Sequence, residues 1–160
     1  MNITIRKAEA RDVPAMLALI KELVVYEKAP NEVITTEESM LRDGFGKEKI
    51  FDSLIAEADG VIAGIAIFYV AYSTWKGKII YLDDLIVTES HRRYGIGKKL
   101  FDEVGRISKA IGANQLRWHV LDWNEPAINF YKKYEASLDA DWITCKLTNE
   151  QMKTLFLKKK

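Results

Sequence analysis

The sequence predicts an α/β domain in which strands and helices are interleaved, and three observations carry that expectation. From Ile79 to Ile111 an apolar, β-rich run (IIYLDDLIV) passes through a turn with two glycines into a segment that has Leu100, Phe101, Val104, Ile107 and Ile111 at helical spacing. Upstream, two further apolar runs meet at Asp59-Gly60, a dipeptide suited to a tight hairpin. Length is the third: 160 residues with 48% hydrophobic content suffice for a single domain, residues 1–160, with a core that needs no staples.

In chain order, Asn2 to Lys7 alternates as a strand with Ile3 and Ile5 on one face. A helix follows. Asp12 stands at its N-cap, Pro14 occupies a first turn where a missing N–H is no loss, and Met16, Leu17, Leu19, Ile20, Leu23 and Val24 form its apolar stripe. Ala29-Pro30-Asn31 ends it. Thr36-Glu37-Glu38-Ser39 is a capping-type opening, so a short second helix is expected from Thr35 or Thr36, stopping by Asp43-Gly44-Phe45-Gly46. Phe51 to Ala58 and Val61 to Tyr72 read as strands, and Trp75-Lys76-Gly77-Lys78 turns the chain into the run that starts at Ile79. Beyond the central helix, Gln115 to Leu121 reads as a strand, Asn124 to Tyr134 as a helix and Trp142 to Leu147 as a strand, after which Thr148 caps a last helix through Leu157. There is no repeat, linker or low-complexity segment.

Composition removes several classes of function. One cysteine excludes an internal disulfide, and with no signal peptide or bilayer-length apolar run the expectation is a reducing, cytoplasmic setting with no membrane partner. His91 and His119 are far apart and lack a second ligand at helical or knuckle spacing, so no metal site is expected. The formal net charge is +1, from 24 basic and 23 acidic side chains without a basic stripe, which disfavours nucleic acid as a partner. Lys158-Lys159-Lys160 reads as a frayed, solvated tail.

The turn after Val87 specifies a type of ligand. Gly95 and Gly97 have no Cβ, so backbone N–H groups from Arg93 to Lys98 can approach an anion, with the positive end of a helix behind them. A P-loop would need Gly-Lys followed by Ser or Thr, whereas Gly97 precedes Lys98 and Lys99, and a dinucleotide fingerprint would need glycine where Leu100 stands. What remains, Arg92-Arg93-Tyr94-Gly95-Ile96-Gly97, fits Arg/Gln-x-x-Gly-x-Gly/Ala. That pattern resembles the coenzyme A pyrophosphate loop of the GNAT acetyltransferases, and the element order is similar over nearly the whole chain. Ile20-Lys21-Glu22-Leu23 with Tyr26-Glu27, Asp43-Gly44-Phe45-Gly46, Tyr81-Leu82-Asp83-Asp84, and Trp123 to Lys133 (WNEPAINFYKK) further resemble the diamine acetyltransferases, which act on spermidine, spermine or thialysine. The resemblance implies a mixed, mostly antiparallel central sheet flanked by helices, in the order β-α-α-β-β-β-α-β-α-β with a C-terminal helix. It also implies acetyl-coenzyme A as cosubstrate and no metal.

Acetyl transfer to a primary amine makes two demands. The amine, with a pKa of about 10.4, arrives as ammonium and must lose a proton before it can attack a thioester. Asp83 and Asp84 are candidates, and strict strand alternation would send them to opposite faces so that one points into the cleft. In the family the first of the pair, usually Glu, serves amine binding and deprotonation through water, a role that falls here to Asp83; a surface carboxylate paired with a lysine is the alternative. The departing thiolate must in turn be protonated, and a tyrosine with a pKa of about 10 is well matched to that task. By resemblance Tyr131 of Asn-Phe-Tyr is this acid, although an aromatic following Ile128 and Phe130 also suits a core.

The remaining site residues follow from the same resemblance. Arg92, Arg93, Tyr94, Gly95, Ile96, Gly97 and Lys98 would hold the pyrophosphate, and Asn124 and Pro126 would serve the pantetheine while capping and opening their helix. Leu85, Ile86 and Val87 would offer splayed backbone to the pantetheine amides opposite Arg117, Trp118 and His119. Glu27, Trp75, Asp83, Asp84 and Trp142 would form the substrate side. Three departures weaken the match to spermidine: Ser73 replaces an acidic residue, Ser137 to Asp141 is short, and Glu135 stands for a glycine. The expected activity is acetylation of a small polycationic or lysine-like amine by direct attack, the alternatives being a protein or peptide acetyltransferase and a non-catalytic acyl-coenzyme sensor. A homodimer is expected, since Trp142, Ile143, Leu147, Met152, Leu155, Phe156 and Leu157 are surplus apolar material and an edge strand there would need cover. Asp139 to Asp141 would then reach a neighbouring site.

Overall fold

The computed structural model describes residues 1–157, which excludes the Lys158-Lys159-Lys160 tail. Its chain forms two compact units, one spanning Met1–His119 and a second beginning at Val120.

The first unit is built on five strands in sequential order: β1 (Ile3–Lys7), β2 (Asp52–Ala58), β3 (Val61–Ser73), β4 (Gly77–Val87) and β5 (Gln115–Arg117). Neighbours from β1 to β4 are antiparallel, and β4 and β5 are parallel. This is the mixed, mostly antiparallel sheet that the sequence implies. At the β2–β3 hairpin Asp59 has φ 50° and Gly60 φ 83°, the left-handed pair that a two-residue turn between twisted strands requires. Alternate residues of β3 feed opposite faces. Ile65 and Ile67 pack with Val13, Met16, Leu17 and Leu19 of α1 (Val13–Tyr26) and Met40 of α2 (Glu37–Phe45), whereas Gly64 lies under Leu100 and Ile96 of α3 (Ile96–Ala110). A Cβ on Gly64 would meet the Ile86 carbonyl oxygen at 2.7 Å, so close packing forbids a side chain there.

Of the capping residues that the sequence offers, all but one cap the helix they precede. Thr36 accepts from Ser39 N–H in a reciprocal box that opens α2. Asp12 precedes α1 as expected, but its carboxylate does not cap that helix. It takes a bidentate grip from Arg6, at 2.7 and 2.9 Å, and the Glu9 N–H at 2.7 Å, and the Arg6 guanidinium holds its carboxyl below the ordinary range.

The second unit carries α4 (Glu125–Lys132), capped by Asn124, and α5 (Asn149–Phe156), capped by Thr148. Here two strand expectations are corrected. The strand expected from Gln115 to Leu121 stops at Arg117, and Trp142 to Leu147 forms no strand among the described residues. An apolar run has strand propensity, but only a ladder of backbone hydrogen bonds makes a strand, and Trp142 and Ile143 remain 71% and 86% exposed. The order of elements therefore ends β-α-α rather than β-α-β-α.

Candidate active site

Asp83 and Asp84 lie in the middle of β4, where the register breaks. Ile67 pairs with Asp84 and Phe68 with Leu82, so Asp83 is the extra residue of a β-bulge. This overturns the alternation: the bulge breaks the two-residue period at this pair, and both residues line one cleft of about 340 Å³. Its walls are largely apolar, from Ile20 on α1, Val33 and Ile34 in the α1–α2 connection, Met40 on α2, Phe51 and Ile67; Glu32 and Thr35 add polar groups.

Electrostatics distinguish the two acids. Asp84 is half-buried, and loss of hydration, then the charge of Asp83, then that of Glu27, push its carboxyl from an ordinary value of 3.8 up to about 7. Asp83 is exposed along its flank. Burial of its carboxyl raises its pKa as well, opposed by the charge of His119. Glu27, one residue past the end of α1, has its carboxyl raised by burial. The charges of Asp83 and Glu27 thus both reach Asp84 at an apolar cleft, and both disfavour its ionised form.

Beside Asp83, Tyr81 stacks on Tyr69 across the β3–β4 pair with ring centroids 5.4 Å apart, and the Tyr81 hydroxyl is hydrogen-bonded to His119 Nδ1. Burial raises both tyrosines, with the charge of Asp83 adding to the effect. Tyr81 belongs to the Tyr81-Leu82-Asp83-Asp84 segment that stands out in the sequence, although sequence assigns its ring no role, and Tyr69 lies in no motif. Trp118 packs edge-on against Phe101 with centroids 5.2 Å apart, as a core aromatic does. Trp75 sits at the β3–β4 turn, 80% exposed, and is not among the residues lining the cleft.

The segment from Arg92 to Lys98 turns sharply into α3. Arg93 and Gly95 adopt left-handed conformations, φ 70° and 81°, which make that turn. Lys99 N–H closes on Gly95 O at 3.0 Å, so the N–H groups of Ile96, Gly97 and Lys98 belong to the first turn that has no intrahelical partner. A Cβ on Gly95 would meet nothing within 4 Å, and one on Gly97 only Val87 Cγ2 at 3.7 Å. Neither glycine is therefore required by packing against neighbouring side chains. The parallel ladder between β4 and β5 runs through three pairs and ends at Tyr81 and Arg117, so β4 continues through Leu85, Ile86 and Val87 past the end of β5. These features fit an extended ligand with a pyrophosphate at one end.

In the second unit, Asn124 accepts from Ala127 N–H at 3.3 Å, and Pro126 lies in the first turn of α4. Tyr131 is 7% exposed, its ring edge-on to Phe130 with centroids 5.2 Å apart. Trp142 lies in the irregular segment before α5. Among the described residues no group of three or more His, Cys, Asp or Glu side chains is arranged to hold a metal, and no helix is long and apolar enough to cross a membrane.

Residues 18–135 match the model of the acetyltransferase (GNAT) family. Thialysine N-epsilon-acetyltransferase of Bos taurus is 40% identical over 138 residues, covering 81% of each chain. Spermidine/spermine N(1)-acetyltransferase-like protein 1 of Homo sapiens is 34% identical over 92% of this chain and 23% of its own greater length. An integron cassette protein from the mobile metagenome of V. cholerae superposes with a TM-score of 0.78 at 21% identity, over 97% of this chain and 98% of that one, which supports the fold alone.

Proposed function

Because the chain belongs to the acetyltransferase (GNAT) family, we propose that residues 1–160 work as one domain that transfers the acetyl group of acetyl-coenzyme A to the primary amine of a small lysine-like or polycationic substrate by direct attack. The observation that carries this reading is Asp84, a carboxyl raised to about 7 in an apolar-walled cleft that it shares with Asp83.

The residues divide the work by environment. Asp83, which lines the cleft, and Glu27, whose charge also reaches Asp84, attract the ammonium, while Ile20, Val33, Met40 and Phe51 accept the apolar stem of the substrate. Asp84 takes the ammonium proton, directly or through water. A base with a pKa of about 7 is ionised in useful amount at neutral pH yet basic enough to bind the proton it receives. This moves the general-base role from Asp83, where the family pattern puts it, to its neighbour. Acetyl-coenzyme A supplies an activated acetyl thioester when bound. Gly95 to Lys98 would hold its pyrophosphate by backbone N–H groups, and the free stretch of β4 at Leu85, Ile86 and Val87 would pair with its pantetheine amides, assisted by Asn124 and Pro126. Tyr131 is assigned the donation of a proton to the leaving sulfur, for which a phenol has a suitable pKa.

Among amines, the names of the relatives favour a thialysine-like acceptor over long polyamines. The cleft agrees in kind, since apolar side chains that suit a substrate stem line it together with Asp83 and Asp84. The single cysteine supports a cytoplasmic setting, and the exposed apolar residues after Asp141 support a homodimer.

The test is coenzyme A release with thialysine, lysine, diamines, spermidine and peptides as acceptors. Turnover is expected on thialysine and lysine-like amines. Tight acetyl-coenzyme A binding with no turnover on any amine would instead make the protein an acyl-coenzyme sensor, and turnover on peptides alone would make it a protein acetyltransferase.

A further inference from the structure

Glu22, on α1, directs its carboxylate away from its own helix and onto the chain that leads into the anion loop. Its Oε2 accepts from the Thr88 hydroxyl at 2.9 Å and its Oε1 from the Glu89 backbone N–H at 2.8 Å. Thr88 and Glu89 are the first residues after β4, at the turn that delivers Arg92. Arg92 is held against the same helix: its Nε donates to Val87 O at 3.1 Å, its guanidinium lies 5.0 Å from the centre of the Tyr26 ring, and its Nη2 is 4.0 Å from Glu22 Oε1. Glu22 and Tyr26 are four residues apart and share a helix face. The entry to the loop is therefore fastened to α1 at two neighbouring points.

An acid so close to a phosphate-binding loop would by itself repel the ligand. Its retention there makes sense if its charge is already committed to donors and its value lies in what it orders. From Thr88 the chain makes a single 3-10 turn, closed by His91 N–H on Thr88 O at 2.9 Å and Arg92 N–H on Glu89 O at 3.2 Å, before the left-handed Arg93 and Gly95, and any freedom left in so short an element must be lost when a ligand binds.

We propose that Glu22 is a positioning residue that pre-orders the Thr88–Arg92 turn, so that the N–H groups of Ile96, Gly97 and Lys98 already converge where the coenzyme pyrophosphate binds. The assignment rests on the coenzyme reading of this loop given above. Glu22 touches neither the amine nor the reacting thioester in this scheme, so its effect falls on coenzyme affinity and not on the chemical step.

The test compares wild type, Glu22→Ala, Glu22→Gln and Thr88→Val by calorimetric titration with acetyl-coenzyme A, and by amide hydrogen exchange of residues 88–98 without ligand. Glu22→Ala should weaken binding about tenfold and Thr88→Val about threefold, while Glu22→Gln, which keeps an oxygen acceptor, recovers part of the loss. Exchange of the 88–98 amides should quicken in Glu22→Ala, and KM for acetyl-coenzyme A should rise with Kd while kcat holds. Affinity within twofold of wild type, or tighter, overturns the role, as does unchanged exchange. If Glu22→Ala fails to fold, wild-type affinity in both Glu22→Gln and Thr88→Val overturns it equally. Folded wild-type protein that does not bind acetyl-coenzyme A overturns the coenzyme reading and this role with it, whereas normal wild-type binding with unaffected variants removes the role alone.

Discussion

Replacing Asp84 by Asn should make the protein more stable above neutral pH while disabling it. The carboxyl is displaced from 3.8 to about 7, mainly because burial removes water from its charged form. At about 1.36 kcal/mol per pH unit this corresponds to a ceiling of about 4 kcal/mol, and because the cleft is open to water on one side the expected effect is roughly 1–3 kcal/mol. The sign follows from proton binding. Well below the ordinary value of 3.8, at about pH 3 and under, the group is protonated whether the chain is folded or not and contributes nothing. As pH rises, the unfolded chain loses its proton first, the native state binds more protons, and stability falls until the native carboxyl has ionised near pH 7. An asparagine side chain is never charged and bears none of this loss. Urea denaturation across pH 3–9 should therefore show the two proteins alike at about pH 3, with a gap that opens up to about pH 7 and then stays level. In thermal melts each kcal/mol would appear as about 2–4 °C. Turnover should fall by roughly 10²–10⁴, the range for a lost general base. An Asp84→Asn variant less stable than wild type at about pH 8, or a gap of the same size at about pH 3, would refute the claim that burial raises this carboxyl.

The kcat/KM profile of the wild type should rise with pH through an apparent pKa near 7, and Asp83→Asn should move that limb to lower pH because the charge of Asp83 helps raise Asp84; an unmoved limb would uncouple the pair. Tyr131→Phe should lower turnover by roughly 10²–10⁴ with coenzyme affinity little changed, and an unaltered rate removes Tyr131 from the mechanism. Gly97→Val should weaken acetyl-coenzyme A binding without unfolding the protein, since Val87 is the only neighbour that a Cβ there would meet within 4 Å; full affinity would put the pyrophosphate elsewhere. Sedimentation at micromolar concentration should give a dimer, whereas an 18.3 kDa species alone would exclude both the dimer and any site shared across it.

Local sequence is most informative where one residue type answers one backbone demand. Thr36, Asn124 and Thr148 cap helices because their side chains reach N–H groups three residues on, and Asp59-Gly60 makes a hairpin because its left-handed geometry suits little else. Gly95 marks the sharp entry into α3 in the same way. The failures share a different origin, in pairing between distant residues. Trp142 to Leu147 has the composition of a strand, but no ladder is assigned there among the described residues, and composition alone does not supply a partner.

The bulge at Asp83 is the most consequential case, because it decides the chemistry. Period-two alternation is a property of a regular strand, so read from β4 alone it separates Asp83 from Asp84. The register depends equally on β3, where Ile67 and Phe68 pair with Asp84 and Leu82 and skip the residue between. Nothing within the segment Tyr81 to Leu85 records that skip. Once it is made, two carboxylates fall in one cleft, the charge of Asp83 opposes ionisation of Asp84, and the more deeply buried acid acquires the pKa of a base suited to neutral pH. The inserted residue therefore does more than bend a strand: it brings into one cleft two acids, proposed here to attract the ammonium and to accept its proton, that an unbroken strand would hold on opposite faces of the sheet.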